Sequence, residues 1–370
     1  MAGPRVLIFH RPTRADDAPL ARLLAEARLR LAEQQAGLFG RLGAKVVFVH
    51  GSAGSFGERL ADAAPRGGGI VVLGSGAVPR LSVADARRLI DVAAGGGRHG
   101  LTNNRYSSDV CAISDAAVLT GVPPLPSDNA LPRWLEERAA FSVGELSGRD
   151  RLALDIDTPQ DIALWALAPG APSWTRTIVA EHGLAIPRLA ELRALAGDAY
   201  AELMLFGRAG STTLRWLERN VRCRVRLLAE ERGLRAATPL AIGEPAGRRP
   251  PRPPRATLGL LLDARGPSSL GEVVGELADG AILDSRVLLA HRLGPDESGW
   301  PAAADRYASD LLQPELVADP WLRALTISAA ESGRPIVLGA HTLVGPGVRL
   351  LLRGARDGAD GPGRAAPERG

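Results

Sequence analysis

Through the first 170 residues, short runs rich in Val, Ile and Leu alternate with longer amphipathic stretches. That alternation constrains the fold more than any other feature of the chain. Apolar runs at 6–10, 45–50, 69–74, 110–113 and 152–157 read as strands, whereas 17–42, 83–93 (opened by Ser82) and 162–167 read as helices. Strands separated by helices need crossover connections. The expected architecture is therefore α/β, with a mostly parallel, Rossmann-like sheet flanked by helices.

A second α/β pattern follows. Strands are expected at 201–206, 224–228, 257–262, 336–339 and 348–352, with helices at 211–220, 270–277 and around 302–312 and 315–332. The expected domains are 1–170 and a C-terminal α/β region of no recognised type, made of 171–246 and 257–352. Between those two pieces, GRRPPRPPRA at 247–256 reads as a stiff extended linker. Residues 353–370 hold too little apolar surface to fold and read as a disordered tail.

The 370 residues are 45% hydrophobic, 23% charged and 4% aromatic, which suits globular cores of Leu, Val, Ile and Ala. No stretch approaches the ~20 apolar residues of a membrane span, and the N-terminal run lacks the layout of a signal peptide. A cytoplasmic location without a membrane partner is the expectation. The net charge of +4 rests on arginine, because Lys45 is the only lysine. Acids and bases are interleaved, so no basic stripe forms and no nucleic-acid partner is expected. Cys111 and Cys223, each among apolar neighbours, read as buried thiols rather than a disulfide or a metal pair.

Residues 152–162, LALDIDTPQDI, carry the chemistry most densely. Asp155 and Asp157 alternate within the apolar run and precede a helix start at Thr158-Pro159. At the carboxyl end of a strand such acids sit where open sheets bind ligands, and oxygen ligands there suit Mg²⁺ held against phosphates. Equally, Thr158 caps the helix, Pro159 fills its first turn, and the acids complement its dipole. Both readings stand. Polar groups collect after the other strands as well: His10, Arg11 and Arg14 after the first, His50 to Ser52 after the second, and Gly74, Ser75 and Gly76 after the third. The segment TNNRYSSD at 102–109 is either an Asn-rich turn or a polar wall of the same cleft, supplied by Asn103, Asn104, Arg105, Ser107, Ser108 and Asp109.

Three stretches, VLIFHRPTR, VVLGSGAVPRLSVADARRLI and LALDIDTPQDIALWAL, give the first ~170 residues a resemblance. They resemble the nucleotidyltransferase-like proteins of the glycosyltransferase A-type fold, near the 2-phospholactate and phosphoenolpyruvate guanylyltransferases and the molybdenum-cofactor nucleotidyltransferase-like proteins. The resemblance implies a nucleotidyltransferase that uses Mg²⁺ or Mn²⁺ and an NTP and acts on a small phosphorylated or carboxylated acceptor. In it Asp157, with Asp155, would hold the metal, and Arg14 and Arg11 would steady the triphosphate. Gly74, Ser75, Gly76, Asn103, Asn104 and Asp109 would line the nucleotide and acceptor cleft, whereas Asp161 would be structural.

The chain departs from the family pattern at two places. Ala77 stands where the family has its first metal-binding Asp, and HRPTRADDAP replaces a glycine-rich loop that lets backbone approach phosphates. A small molecule and a nucleotide are the expected partners, with a homodimer left open. A degenerate protein that binds a nucleotide or metabolite without transfer is the alternative. A third reading places a hydrolase or transferase site in the C-terminal half, on Asp284, Arg286, His291 and His341. There, Asp284 with Arg286 and Asp305 with Arg306 serve equally well as ion pairs between helices.

Overall fold

The computed structural model describes residues 3–51, 54–125, 127–230 and 254–356. Ser52, most of the 247–256 linker and nearly all of the 353–370 tail lie outside the described residues. The chain is α/β, with two mostly parallel sheets flanked by helices. It divides into two compact units, Met1–Ile162 and Ala163–Gly370.

In chain order the first unit runs β1 (Arg5–His10), α1 (Pro19–Arg41), β2 (Lys45–His50), α2 (Phe56–Ala63), β3 (Ile70–Gly74), α3 (Val83–Ala94), β4 (His99–Thr102), β5 (Val110–Ile113), α4 (Leu131–Glu137), β6 (Ser142–Glu145), α5 (Arg149–Leu152) and the start of α6 (Pro159–Ala166), within which the division falls. The sheet order is β2-β1-β3-β5-β4-β6. β5 alone runs antiparallel to its neighbours β3 and β4. Alternate residues of each strand feed two cores. Val6, Ile8, Val71 and Leu73 pack on one face, Leu7, Phe9, Ile70 and Val72 on the other. Burial on both faces explains why these strands are continuous apolar runs.

The second unit holds α7 (Ser173–Glu181), α8 (Leu189–Gly197), β7 (Glu202–Gly207), α9 (Ser211–Asn220), β8 (Arg224–Ala229), α10 (Thr257–Arg265), α11 (Leu270–Leu277), β9 (Gly280–Asp284), α12 (Ser285–Leu293), α13 (Ala303–Asp310), α14 (Pro320–Glu331), β10 (Ile336–Gly339) and α15 (Val348–Leu351). Its four strands are parallel in the order β10-β9-β7-β8. Met204 and Phe206 face one core, Leu203 and Leu205 the other.

Three expected strands are not strands. Residues 257–262 form the start of α10, and 348–352 fall in α15 and its cap. Both are Leu-rich with one β-branched residue each, so helix propensity prevails over the apolar run. At 152–157 the chain leaves α5 and runs extended outside either sheet. It is fastened by Ile156 N–H donating to Gly76 O at 3.0 Å rather than by a strand ladder. Strands β4 and β6 escape the periodicity argument because they are four residues long and partly polar.

Candidate functional site

The reversed strand β5 assembles the site. Parallel strands β1, β3 and β4 end at one edge of the sheet, and an antiparallel strand begins there. Asp109, immediately before β5, thus reaches the edge where β3 ends in Gly74 and β4 runs on to Asn103. The 153–157 segment crosses the same edge, tied to Gly76.

Four half-buried carboxylates interact across this rim: Asp109, Asp128, Asp155 and Asp157. Burial pushes Asp109 up to about 8, helped by repulsion from Asp128 and Asp157 and opposed by the Asn103 amide. Burial and the charge of Asp157 push Asp128 up to about 6. Asp155 lies well above the usual carboxylate range, through burial and then through Asp157 and Asp109. Like charges gathered in a half-dry cleft are costly unless a cation joins them.

The sequence-expected residues divide into those that meet at this rim and those held elsewhere. Asp109, Asp155 and Asp157 meet. Asn103 is buried and supports them: its Nδ2 donates to Asp109 Oδ2 at 2.6 Å and to Leu152 O at 3.0 Å, and its Oδ1 accepts from Asp109 N–H at 2.9 Å. Asn104 shapes the loop, its Oδ1 accepting from the N–H groups of Tyr106 and Ser107 at 3.0 and 3.3 Å. Ser75 Oγ is 3.1 Å from His10 Nδ1. Burial, then His50 and Arg28, depress the His10 pKa and favour its neutral form. Gly74 closes β3 opposite Phe9. Arg11 NH2 donates to Asp17 Oδ1 at 2.7 Å and Arg14 N–H to Asp17 Oδ2 at 2.8 Å, bonds that stay within the loop after β1.

The loop after β3 is strained where it meets the rim. Val78, fully buried, is held at φ +40°, a conformation that a β-branched residue avoids. Gln35 Nε2 braces it by donating to Ala77 O at 2.6 Å.

Thr158 and Asp161 form a reciprocal cap on α6. Asp161 N–H donates to Thr158 Oγ1 at 3.3 Å, and Thr158 N–H donates to Asp161 Oδ2 at 2.7 Å. Asp161 Oδ1 is buried without a hydrogen-bond partner among the described residues. Burial and the charge of Asp157 push Asp161 up to about 7.

Two participants were not identified from the sequence. Asp128 sits in a short 3₁₀ turn before α4 and carries no motif. Arg28 does carry a signal. It lies on the stripe formed by Leu24, Leu31 and Gln35 of α1, at positions i, i+4, i+7 and i+11, where a core side chain is expected. Its Nε donates to Ile156 O at 2.5 Å and its NH2 to Asp157 Oδ1 at 2.6 Å.

Among the described residues, no three His, Cys, Asp or Glu side chains stand close enough to hold one ion. An ion at this rim would have to take one or two carboxylates and complete its shell with water or substrate oxygens.

In the second unit the charged residues pair differently from expectation. Arg208 binds Asp284 through Nε and NH2 at 2.6 and 3.1 Å, and Arg286 binds Asp310 at 2.5 and 2.7 Å. Arg306 pairs with Glu297, while Asp305 accepts the N–H groups of Ala318 and Asp319. Asp284 caps the helix that follows, accepting from Arg286 N–H at 3.2 Å, while the Arg286 guanidinium turns to Asp310; Asp305 and Arg306, adjacent on one helix, diverge to separate partners. His291 is buried between Ala256 N–H and Asp263, whereas His341 acts on Asp284, so the two histidines engage different carboxylates. Cys111 and Cys223 are buried free thiols, which burial pushes up to about 12 and about 11. No described helix is long and apolar enough to cross a membrane.

No family model matches the chain, and no curated protein does. Among solved structures it is similar to a protein described as a candidate nucleotide-diphospho-sugar transferase from Desulfovibrio desulfuricans G20. The identity is 15% over 50% of this chain and 97% of that one, with a TM-score of 0.37. It is also similar to Rv0371c from Mycobacterium tuberculosis H37Rv, at 23% identity over 44% of this chain and 96% of that one, TM-score 0.28. The manganese complex of Rv0371c aligns at 23% identity over 39% of this chain and 87% of that one, TM-score 0.24. At these scores the chemistry of the rim rests on its own residues.

Proposed function

We propose that the first unit binds an NTP with a divalent cation and transfers its nucleotidyl group to a small phosphorylated or carboxylated acceptor. One observation carries this reading: Asp109, Asp128, Asp155 and Asp157, from three separate stretches of chain, crowd the edge where the parallel strands end. Asp157 and Asp155 are the residues that would hold Mg²⁺ or Mn²⁺, an ion that neutralises triphosphate charge. Arg14 and Arg11 stand on the loop after β1 to contact phosphates, and Gly74, Ser75 and Gly76 form the floor. Asn103 keeps Asp109 oriented, and Asn104 shapes the wall against which the acceptor lies. Transfer of this kind depends on positioning and charge more than on a protein base.

Calorimetric titration of GTP, CTP and ATP with Mg²⁺ or Mn²⁺, coupled to a pyrophosphate-release assay, tests the proposal. Binding that requires the metal and is lost in Asp157→Asn supports it. A folded protein that binds none of the three nucleotides refutes it. A second reading, nucleotide or metabolite binding without transfer, draws on the first loop. Arg11, Arg14 and Arg22 all bond Asp17, and no glycine lies between His10 and Ala18. Metal-independent binding without pyrophosphate release would favour it.

A further inference from the structure

We propose that Arg28 is a resident cation of the acidic rim, a positioning residue that holds Asp157 and sets how tightly the rim takes a divalent ion. The inference rests on reading the rim as a cation site and adds a residue that tunes it.

Arg28 leaves the buried stripe of α1 and passes through a gap that exists because residue 76 is glycine. A Cβ there would stand 2.9 Å from Arg28 Nε and 2.7 Å from Ile156 O. The guanidinium then makes two directional bonds, to the Ile156 carbonyl and to Asp157. Exposed ion pairs contribute little to stability, and at 32% and 45% side-chain exposure this pair belongs near that class. Its consequence is electrostatic. The same guanidinium counteracts the upward push on Asp155 and lowers the pKa of His10, so its field covers the rim from Asp155 to the end of β1. A divalent ion approaching Asp157 meets a carboxylate already bonded to a positive charge. Arg28 therefore orders the acids before an ion arrives and weakens the ion's hold once it is there.

The test titrates the full chain with Mn²⁺, free ion being followed by electron paramagnetic resonance, in wild type, Arg28→Met, Arg28→Gln and Arg28→Lys. Thermal melts verify folding. Arg28→Gln keeps an amide donor for Ile156 O and serves should Arg28→Met fold poorly. The neutral variants are expected to bind Mn²⁺ about tenfold more tightly than wild type, and Arg28→Lys within about twofold of it. Unchanged or weaker binding in a folded neutral variant overturns the inference and leaves the proposed function standing. A Mn²⁺ site gained in the neutral variants but absent from wild type upholds the inference. No binding in any of the four proteins overturns the inference, while the nucleotide titration decides the proposed function.

Discussion

Asp109, Asp161 and Asp128 hold a proton more firmly in the folded chain than in the unfolded one, pushed up to about 8, about 7 and about 6. A native state that binds more protons than the unfolded state loses stability as pH rises. Without divalent ions, the contribution of these groups is complete below the ordinary carboxylate range and is lost progressively from there up to pH 6–8. Asp85 and Asp284 have the opposite sign. Burial opposes them, but Arg151 and Arg208 hold them low, so their contributions are lost only in acid, below that window. Above pH 6.5, where His10 with its depressed pKa no longer pulls the other way, the melting temperature should therefore fall up to about pH 8.5, and Asp109→Asn should flatten the slope. A melting temperature that climbs across that interval would contradict the crowding of these acids. Gly76→Ala should cost about 1–3 kcal/mol in a denaturant titration, because the new methyl group meets Ile156 O and Arg28.

At the scale of an element, α6 shows how a motif can be legible in chemistry and misread in conformation. The sequence LDIDTPQD announced a cap and two acids, and the Thr158–Asp161 cap is there. The strand expected at 152–157 is not, because alternating polarity is equally satisfied by an extended segment bonded to a loop instead of a ladder. Thr158→Ala should cost about 1 kcal/mol, with the loss read by denaturant unfolding. A full-sized loss of Mn²⁺ affinity in the same variant would show that the cap also fixes Asp157. Helix α1 offers the converse lesson. Its length was plain from periodicity, yet Arg28 passes for a surface charge until the spacing to Leu24, Leu31 and Gln35 puts it on the buried side. Asp128 had no comparable signal, since its place at the rim depends on a long-range path through a short turn.

Over the whole molecule, the α/β class and the mostly parallel first sheet followed from the order of strand and helix patterns, whereas β9, an inner strand of the second sheet, was not expected. Pairing between distant residues did not follow either. Arg208–Asp284 and Arg286–Asp310 join side chains 76 and 24 positions apart, distances over which local periodicity carries no information. Arg286→Met removes the two-pronged partner of the buried Asp310 and should destabilise the protein by about 3–5 kcal/mol. Below the temperature at which that variant unfolds, Mn²⁺ binding at the first unit's rim should match wild type. A parallel loss would show that the acids depend on the second unit.

The single reversed strand has a further consequence. Because β4 and β5 are adjacent and opposed, the connection between them leaves and rejoins the sheet at the same end. Residues 104–108 form a hairpin tip, pinned at its base by Asn103 and Asp109. Such a tip can be lengthened, shortened or rewritten while the strands that carry it keep their register. Under the transfer proposed above, the β4–β5 turn is where this scaffold would acquire a new choice of acceptor by small genetic steps.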